Sequence, residues 1–137
     1  MSEKVRKVDY FYTMVPNTAG KGAKILSALA AEGVNLLAFS GFPSDRQAQL
    51  DLVPDNSAKL KRAAKRLRLK LSKKKTGFLV RGDDRVGAMT GILAKLAGAK
   101  INVTAVDAVS AGGGRYAAIM WVKSKSVAKA AKLLKAK

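Results

Sequence analysis

Apolar residues along this chain switch between two spacings, and the switches mark the elements. Val8 to Val15, carrying Tyr10, Phe11, Tyr12 and Met14, has the residue types and length of a strand, broken by Pro16 and Asn17. Gly20 and Gly22 mark a turn, after which Ile25, Leu26, Leu29 and Ala30 recur with helical spacing until Gly33 stops the run. Val34 to Phe42 reads as a second strand, and Pro43, Ser44 and Asp45 turn the chain. Gln47 to Val53 returns as a third strand, with Ala48, Leu50 and Leu52 alternating against Gln47, Gln49 and Asp51. Asp55, Asn56 and Ser57 offer N-cap chemistry for a helix carrying Leu60, Ala63, Ala64 and Leu67. Leu67, Leu69 and Leu71 then alternate with polar residues, which predicts a fourth strand.

The second half repeats the first. Phe78 to Arg81 predicts a strand, Val86 to Ala99 a helix with Met89, Ile92, Leu93 and Leu96 on one face, and Ile101 to Val109 a strand. Gly112, Gly113 and Gly114 form a hairpin turn, Tyr116 to Val122 returns, and Ser126 is placed to cap a last helix. The offset is 67 (17 to 84, 20 to 87, 35 to 102) and runs through the chain without a gap. Each copy reads β-α-β-β-α-β, the ferredoxin-like split βαβ order. The expected fold is α+β: two such modules in tandem, residues 1–72 and 73–137, each an antiparallel sheet with helices on one face. The chain stops where the second module's fourth strand should begin, so that module lacks its last strand. Either its edge is open, which favours pairing with a second chain, or residues 1–7, at the matching register, fill it.

Composition narrows the chemistry. The chain has 137 residues, 48% of them hydrophobic, which suffices for two small modules with real cores. It contains no cysteine and no histidine. That removes disulfides, cysteine nucleophiles, histidine acid–base chemistry and zinc sites of the usual kind. Asp83 and Asp84 are adjacent and diverge on a turn, and no Walker A motif or metal-ligand cluster occurs. No catalytic residue, metal or cofactor is assigned, and a non-enzymatic protein is expected. The N-terminus, with Lys4, Arg6 and Lys7, is too polar for a signal peptide or membrane span, and a cytoplasmic protein is expected.

The net charge of +18 is the compositional oddity. Ten bases fall between Lys59 and Lys75, and the C-terminal helix adds Lys125, Lys129, Lys132, Lys135 and Lys137. These segments, 59–75 and 125–137, could bind nucleic acid through phosphate contacts, and Tyr10, Phe11, Tyr12 and Phe78 could form the stacking platform of an RNA-recognition sheet. The plainer reading is a solvated helix face with lysine stems over apolar side chains, and it is preferred.

The turn before the first helix is where the copies agree best. A glycine lets the backbone turn, and the first helical turn offers free N–H groups that, with the helix dipole, suit a carboxylate. Asn35 and Asn102 lie fifteen residues past Gly20 and Gly87 (20 to 35, 87 to 102), where an amide supplies both a donor and an acceptor. Turn and asparagine fall at opposite ends of one module, so a shared ligand needs elements pooled from two. The alternative is structural: glycines serving the turn alone and asparagines bonding to nearby backbone.

On these residues the chain resembles a tandem pair of ACT domains, whose pattern is an Asp-Arg-Pro-Gly-like turn, an apolar helix, and a strand opening with aliphatic-Asn-aliphatic. Asp84, Arg85, Val86, Gly87 and Ile101, Asn102, Val103 match it in the second copy; Asn17, Thr18, Ala19, Gly20 and Val34, Asn35, Leu36 match it in the first. The usual proline is replaced by Ala19 and Val86, and the first acid by Asn17. The resemblance implies a regulatory protein that binds a small-molecule effector, an amino acid above all, at an interface between modules. The implied ligand residues are Asn17, Ala19, Gly20 and Asn35 from one copy and Asp84, Val86, Gly87 and Asn102 from the other. The N–H groups at Gly20 and Gly87 would hold a carboxylate. A separate regulated protein and a homodimer are the implied partners. Nucleic acid is the second reading, and a ligand-free protein-interaction module the third.

Overall fold

The computed structural model describes residues 3–137; Met1 and Ser2, part of the basic lead-in, lie outside the described residues. Six strands and four α-helices follow in the order β1 (Lys4–Pro16), α1 (Lys21–Ala31), β2 (Leu36–Ser44), β3 (Gln47–Pro54), α2 (Ser57–Leu67), β4 (Lys75–Asp83), α3 (Thr90–Gly98), β5 (Val103–Gly112), β6 (Arg115–Val122) and α4 (Val127–Leu133). A short 3-10 turn at Ser124–Ser126 leads into α4. The architecture is mixed α+β, and every strand pair with a resolved register is antiparallel.

The chain divides into two compact units, Asp9–Lys75 and residues up to Val8 together with Thr76–Lys137. The division differs from the expected one at 72/73, and the reason is β1. This strand is longer than its apolar run and begins at Lys4, and its first residues sort with the C-terminal unit, next to β4. There the Lys7 amide donates to the Lys137 carbonyl (2.9 Å) and the Lys137 amide to that of Val5 (3.3 Å). Of the two alternatives expected for the missing strand, an open edge or the start of the chain, the start of the chain takes the place beside β4.

In the N-terminal unit the strand order is β2-β3-β1, with Phe11 opposite Leu52 and Thr13 opposite Leu50. Phe11 and Leu52 face Leu29 of α1 and Leu60 and Ala63 of α2, which form the core. Each such large side chain stabilises the fold by about 1.5–3 kcal/mol on burial. The expected strand over Leu67–Leu71 does not form a ladder. Its segment runs beside β1, but side chains take two of the three bonds between them. The Thr13 hydroxyl donates to the Lys70 carbonyl (2.8 Å), the Tyr12 amide to Ser72 Oγ (2.9 Å), and the Ser72 amide to the Tyr12 carbonyl (2.8 Å).

In the C-terminal unit β4, β6 and β5 are consecutive neighbours. Phe78, Val80, Ala118 and Met120 pack under Ile92 and Leu96 of α3 and Ala130, Ala131 and Leu134 of α4. The repeat is not gapless here. Phe11 pairs with Leu52 and Phe78 with Met120, so the offset is 67 in one strand (11 to 78) and 68 in its partner (52 to 120). A bulge at Ala111, between Ser110 and Gly112 of β5, carries the extra residue ahead of the Gly112–Gly114 turn, and α4 regains the original register.

Helix ends follow one rule. Each α-helix closes with a left-handed residue, at Gly33 (φ 77), Arg68 (φ 57), Lys100 (φ 58) and Lys135 (φ 54). After it, an amide reaches back five residues: Val34 to Leu29, Leu69 to Ala64, Ile101 to Leu96 and Ala136 to Ala131, at 2.8–3.0 Å. Helix starts differ. Asn56 caps α2 by accepting from the Lys59 amide at 3.0 Å, as expected. Ser126 makes no side-chain cap to α4, because the 3-10 turn precedes that helix. And α3 begins at Thr90 rather than Val86, since Gly87 at φ 69 cannot continue a right-handed helix.

Candidate functional site

The two repeated turns have unlike local structures. In the N-terminal unit the Asn17 amide donates to the Arg46 carbonyl (3.2 Å) and the Thr18 amide to that of Pro16 (2.9 Å). Gly20, at φ 87, sits directly before α1, with no side-chain cap on the helix. A Cβ at Gly20 would meet nothing within 4 Å, so it is the backbone angle, not crowding, that requires glycine. Asn17, Ala19 and Gly20 are all exposed.

In the C-terminal unit the turn is braced by charge. The Asp84 amide donates to the Gly114 carbonyl (2.9 Å), and the Ser110 hydroxyl to Asp84 Oδ2 (2.7 Å). Arg115 Nη1 donates to Asp83 Oδ1 (2.6 Å). Arg85 Nη1 donates to Glu3 Oε2 (2.6 Å). The Glu3 side chain is enclosed, and the Arg85 guanidinium holds its carboxyl below the usual range against the opposing effect of burial. Enclosure and the neighbouring Glu3 carboxylate push the Tyr116 phenol up. Gly87 stands three residues ahead of α3, so its N–H is not a helix-terminus donor as Gly20's setting allows. Val86 projects fully into solvent.

Asn35 and Asn102 each follow a helix-ending left-handed residue by two positions and are exposed. The Asn35 carbonyl accepts from the Asp55 amide (3.0 Å). Among the described residues neither asparagine side chain makes an intramolecular hydrogen bond. Within each unit the turn and the asparagine stay apart. The turn at 17–20 lies at the Ser44–Gln47 end of the sheet and Asn35 at the Leu36–Pro54 end, roughly 25 Å away at strand rise. Asp84 and Asn102 are related in the same way, at the Asp83–Arg115 and Val103–Val122 ends.

Beside the first turn, a cleft of about 310 Å³ is lined by Val15, Pro16, Ile25 and Leu69, with Lys21 and Lys24 on α1. It combines an apolar wall with two ammonium groups. Sequence reading missed it because its walls come from β1, α1 and the segment after α2. It missed the Glu3–Arg85 pair too, whose partners are 82 residues apart.

The basic face of α2 is exposed at Lys59, Lys61, Arg62, Lys65 and Arg66. Lys61 Nζ lies 5.8 Å from the Phe11 ring, and Arg66 pairs with Glu32 at 3.3 Å. Phe11 and Phe78 are buried in the two cores and cannot stack on bases. Asp51, on the sheet face opposite the helices, is nearly enclosed; burial pushes its carboxyl up although Gln49 Nε2 donates to it at 2.9 Å. Among the described residues no helix is long and apolar enough to cross a membrane.

No family model and no curated protein matches the chain in sequence. Solved structures match it in fold. Protein BT0572 from Bacteroides thetaiotaomicron superposes with a TM-score of 0.81 at 16% identity, over 98% of this chain and 90% of that one. The regulatory subunit of aspartate kinase from Thermus flavus gives 0.66 at 13% identity, and the ligand-free subunit from Thermus thermophilus 0.65 at 12%; each match covers 98% of this chain and 95% of the other. The chain therefore shares the mixed α+β fold of those structures.

Proposed function

We propose that this chain is a non-enzymatic regulatory protein that binds an amino acid at an interface between ACT-type modules. The observation that carries the reading is the duplicated pair of exposed elements, a glycine turn and an asparagine with an unspent amide, on a fold shared with aspartate kinase regulatory subunits. Ala19 and Gly20, with the uncapped start of α1, supply backbone donors for a carboxylate, and Asn17 offers its side chain, its own amide being bonded to Arg46. Asp84, Val86 and Gly87 present a second turn, and Asn35 and Asn102 orient the ligand. Because turn and asparagine are far apart within a unit, each site is completed by a second module. A homodimer supplies one. β2 and β5 end their strand orders and expose Phe39, Phe42, Val106 and Val109, the apolar edges that a second copy would cover. A separate enzyme is the regulated partner, and the setting is the cytoplasm. The exposed bases of α2 support a second reading, nucleic acid, which a salt-sensitive oligonucleotide complex would favour.

The test is calorimetry with the twenty amino acids on the intact chain, beside Asn35→Ala and Asn102→Ala. One or a few amino acids should bind, and the variants should weaken that binding about tenfold while keeping the unliganded Tm, since neither amide bonds within the chain. Silence from all twenty, or unchanged affinity in both variants, would overturn the reading.

A further inference from the structure

The C-terminal unit contains a cleft of about 460 Å³ that the reading above does not use. Six of the residues lining it are bases: Lys4, Arg6, Arg81, Lys95, Lys135 and Lys137. They come from four elements. Lys4 and Arg6, two apart on β1, share one face of that strand. Arg81 comes from β4, its neighbour in the sheet, and Lys95 from α3. Lys135 is the left-handed residue ending α4, and Lys137 is held to Val5 and Lys7 by backbone hydrogen bonds. None of the six has an acidic partner among the described residues. Glu3 is the one acidic side chain of the lining, and its Oε2 is occupied by Arg85 at 2.6 Å. The cleft therefore gathers cations that repel one another and that the protein does not neutralise.

The fold does not require this charge. The sister cleft of about 310 Å³ in the N-terminal unit occupies the repeat-equivalent place, between α1 and the end of α2. Leu67 there corresponds to Leu134 here, and Ala28 to Lys95. One position at the same place in the repeat is a methyl group in one unit and an ammonium in the other.

We propose that the cleft of the C-terminal unit binds a compact ligand with two or more clustered phosphates, of the nucleoside di- or triphosphate or inorganic polyphosphate class. Its volume falls in the range of small-molecule sites. Four lysines and two arginines supply point charges and forked donors for phosphate oxygens. A single carboxylate, as on an amino acid, would leave most of them unmatched.

The experiment is titration calorimetry of the full chain with tripolyphosphate, ATP and orthophosphate, at two salt concentrations. Competition by a twelve-nucleotide single strand is measured alongside. Lys95→Ala and Arg81→Ala alter the cleft; Lys61→Ala with Arg62→Ala alters the α2 face of the other unit. Tripolyphosphate or ATP should bind one per chain, at least tenfold tighter than orthophosphate. Each cleft variant should weaken that binding about tenfold, and the α2 variant less than twofold. A better ATP than tripolyphosphate would mark a nucleotide site, the reverse a polyphosphate site. The proposal fails if binding is not saturable, if the α2 variant loses as much as the cleft variants, or if the oligonucleotide outcompetes both probes. A change of Tm in the free variants would be read first, so that loss of folding is not taken for loss of the site.

Discussion

The two units place their glycine turns on equivalent strands and hold them by different means. In the N-terminal unit Val15 faces Ala48 across β1 and β3. In the C-terminal unit the same pair of positions is Gly82 and Tyr116 across β4 and β6. Medium against small has become smallest against large. The exchange opens room that the first unit lacks. A Cβ at Gly82 would stand 2.8 Å from Tyr116 Cε1 and 2.9 Å from Glu3 Oε2. Into that room Glu3 is folded, and onto Glu3 the arginine of the second turn is clamped. The first turn has Thr18 at the position of Arg85 and relies on backbone bonds. The two units thus brace their turns by different contacts at the place where both are proposed to meet ligand, and one glycine enables the difference.

The sharpest way to break the comparison is Gly82→Val, which copies the first unit's residue into the second. The ring of Tyr116 cannot retreat cheaply and Glu3 is displaced, so stability should fall by about 2–3 kcal/mol in denaturant unfolding. A loss well under 1 kcal/mol would mean that the glycine is not what seats Glu3.

A smaller effect separates the units by pH. Glu3 is held below its ordinary value of 4.5 by Arg85, so its contribution is present in full above that value and is lost as pH falls through the lower folded value. Asp51, in the other unit, is raised above 3.8 by burial. Its folding penalty is absent below that value and grows as pH rises through the folded one. Glu3→Gln should therefore lower Tm at pH 7, with the gap closing in acid. Asp51→Asn should raise Tm at pH 7, with the gain vanishing in acid. Melting curves from pH 3 to 7 check both, and gaps that do not change with pH would reject the electrostatic account.

The smallest effect concerns helix ends. Gly33 and Lys100 are repeat equivalents and both are left-handed, but only glycine adopts that angle without a Cβ penalty. Lys100→Gly should stabilise by about 0.5–1 kcal/mol, and Gly33→Ala should destabilise by a similar amount. Tm should move by roughly 2 °C in opposite directions.

Much of this was legible along the chain. Helical and alternating spacing placed all four helices and all six strands, Gly33 and Asn56 announced a helix end and a helix start, and the shared offset fell on two units. The readings that failed did so where local pattern met a tertiary competitor. Leu67–Leu71 alternates like a strand, yet Thr13 and Ser72 side chains took its ladder bonds. Val86–Leu96 has helical spacing, yet the positive φ at Gly87 delayed the helix to Thr90. Of the proposed ligand residues, the sequence placed each on its turn or strand start, but it could not show whether the asparagine amides were already spent.

By itself, then, the sequence determined the order of elements and the faces that enter each core, because spacing, turn chemistry and capping act over a few residues. Only the tertiary structure decided that the first residues complete the C-terminal unit. It alone seated Glu3 between Gly82 and Arg85, and it alone brought six scattered bases to one cleft. Those outcomes depend on which strands become neighbours and how much room their facing side chains leave, and no local periodicity carries that information.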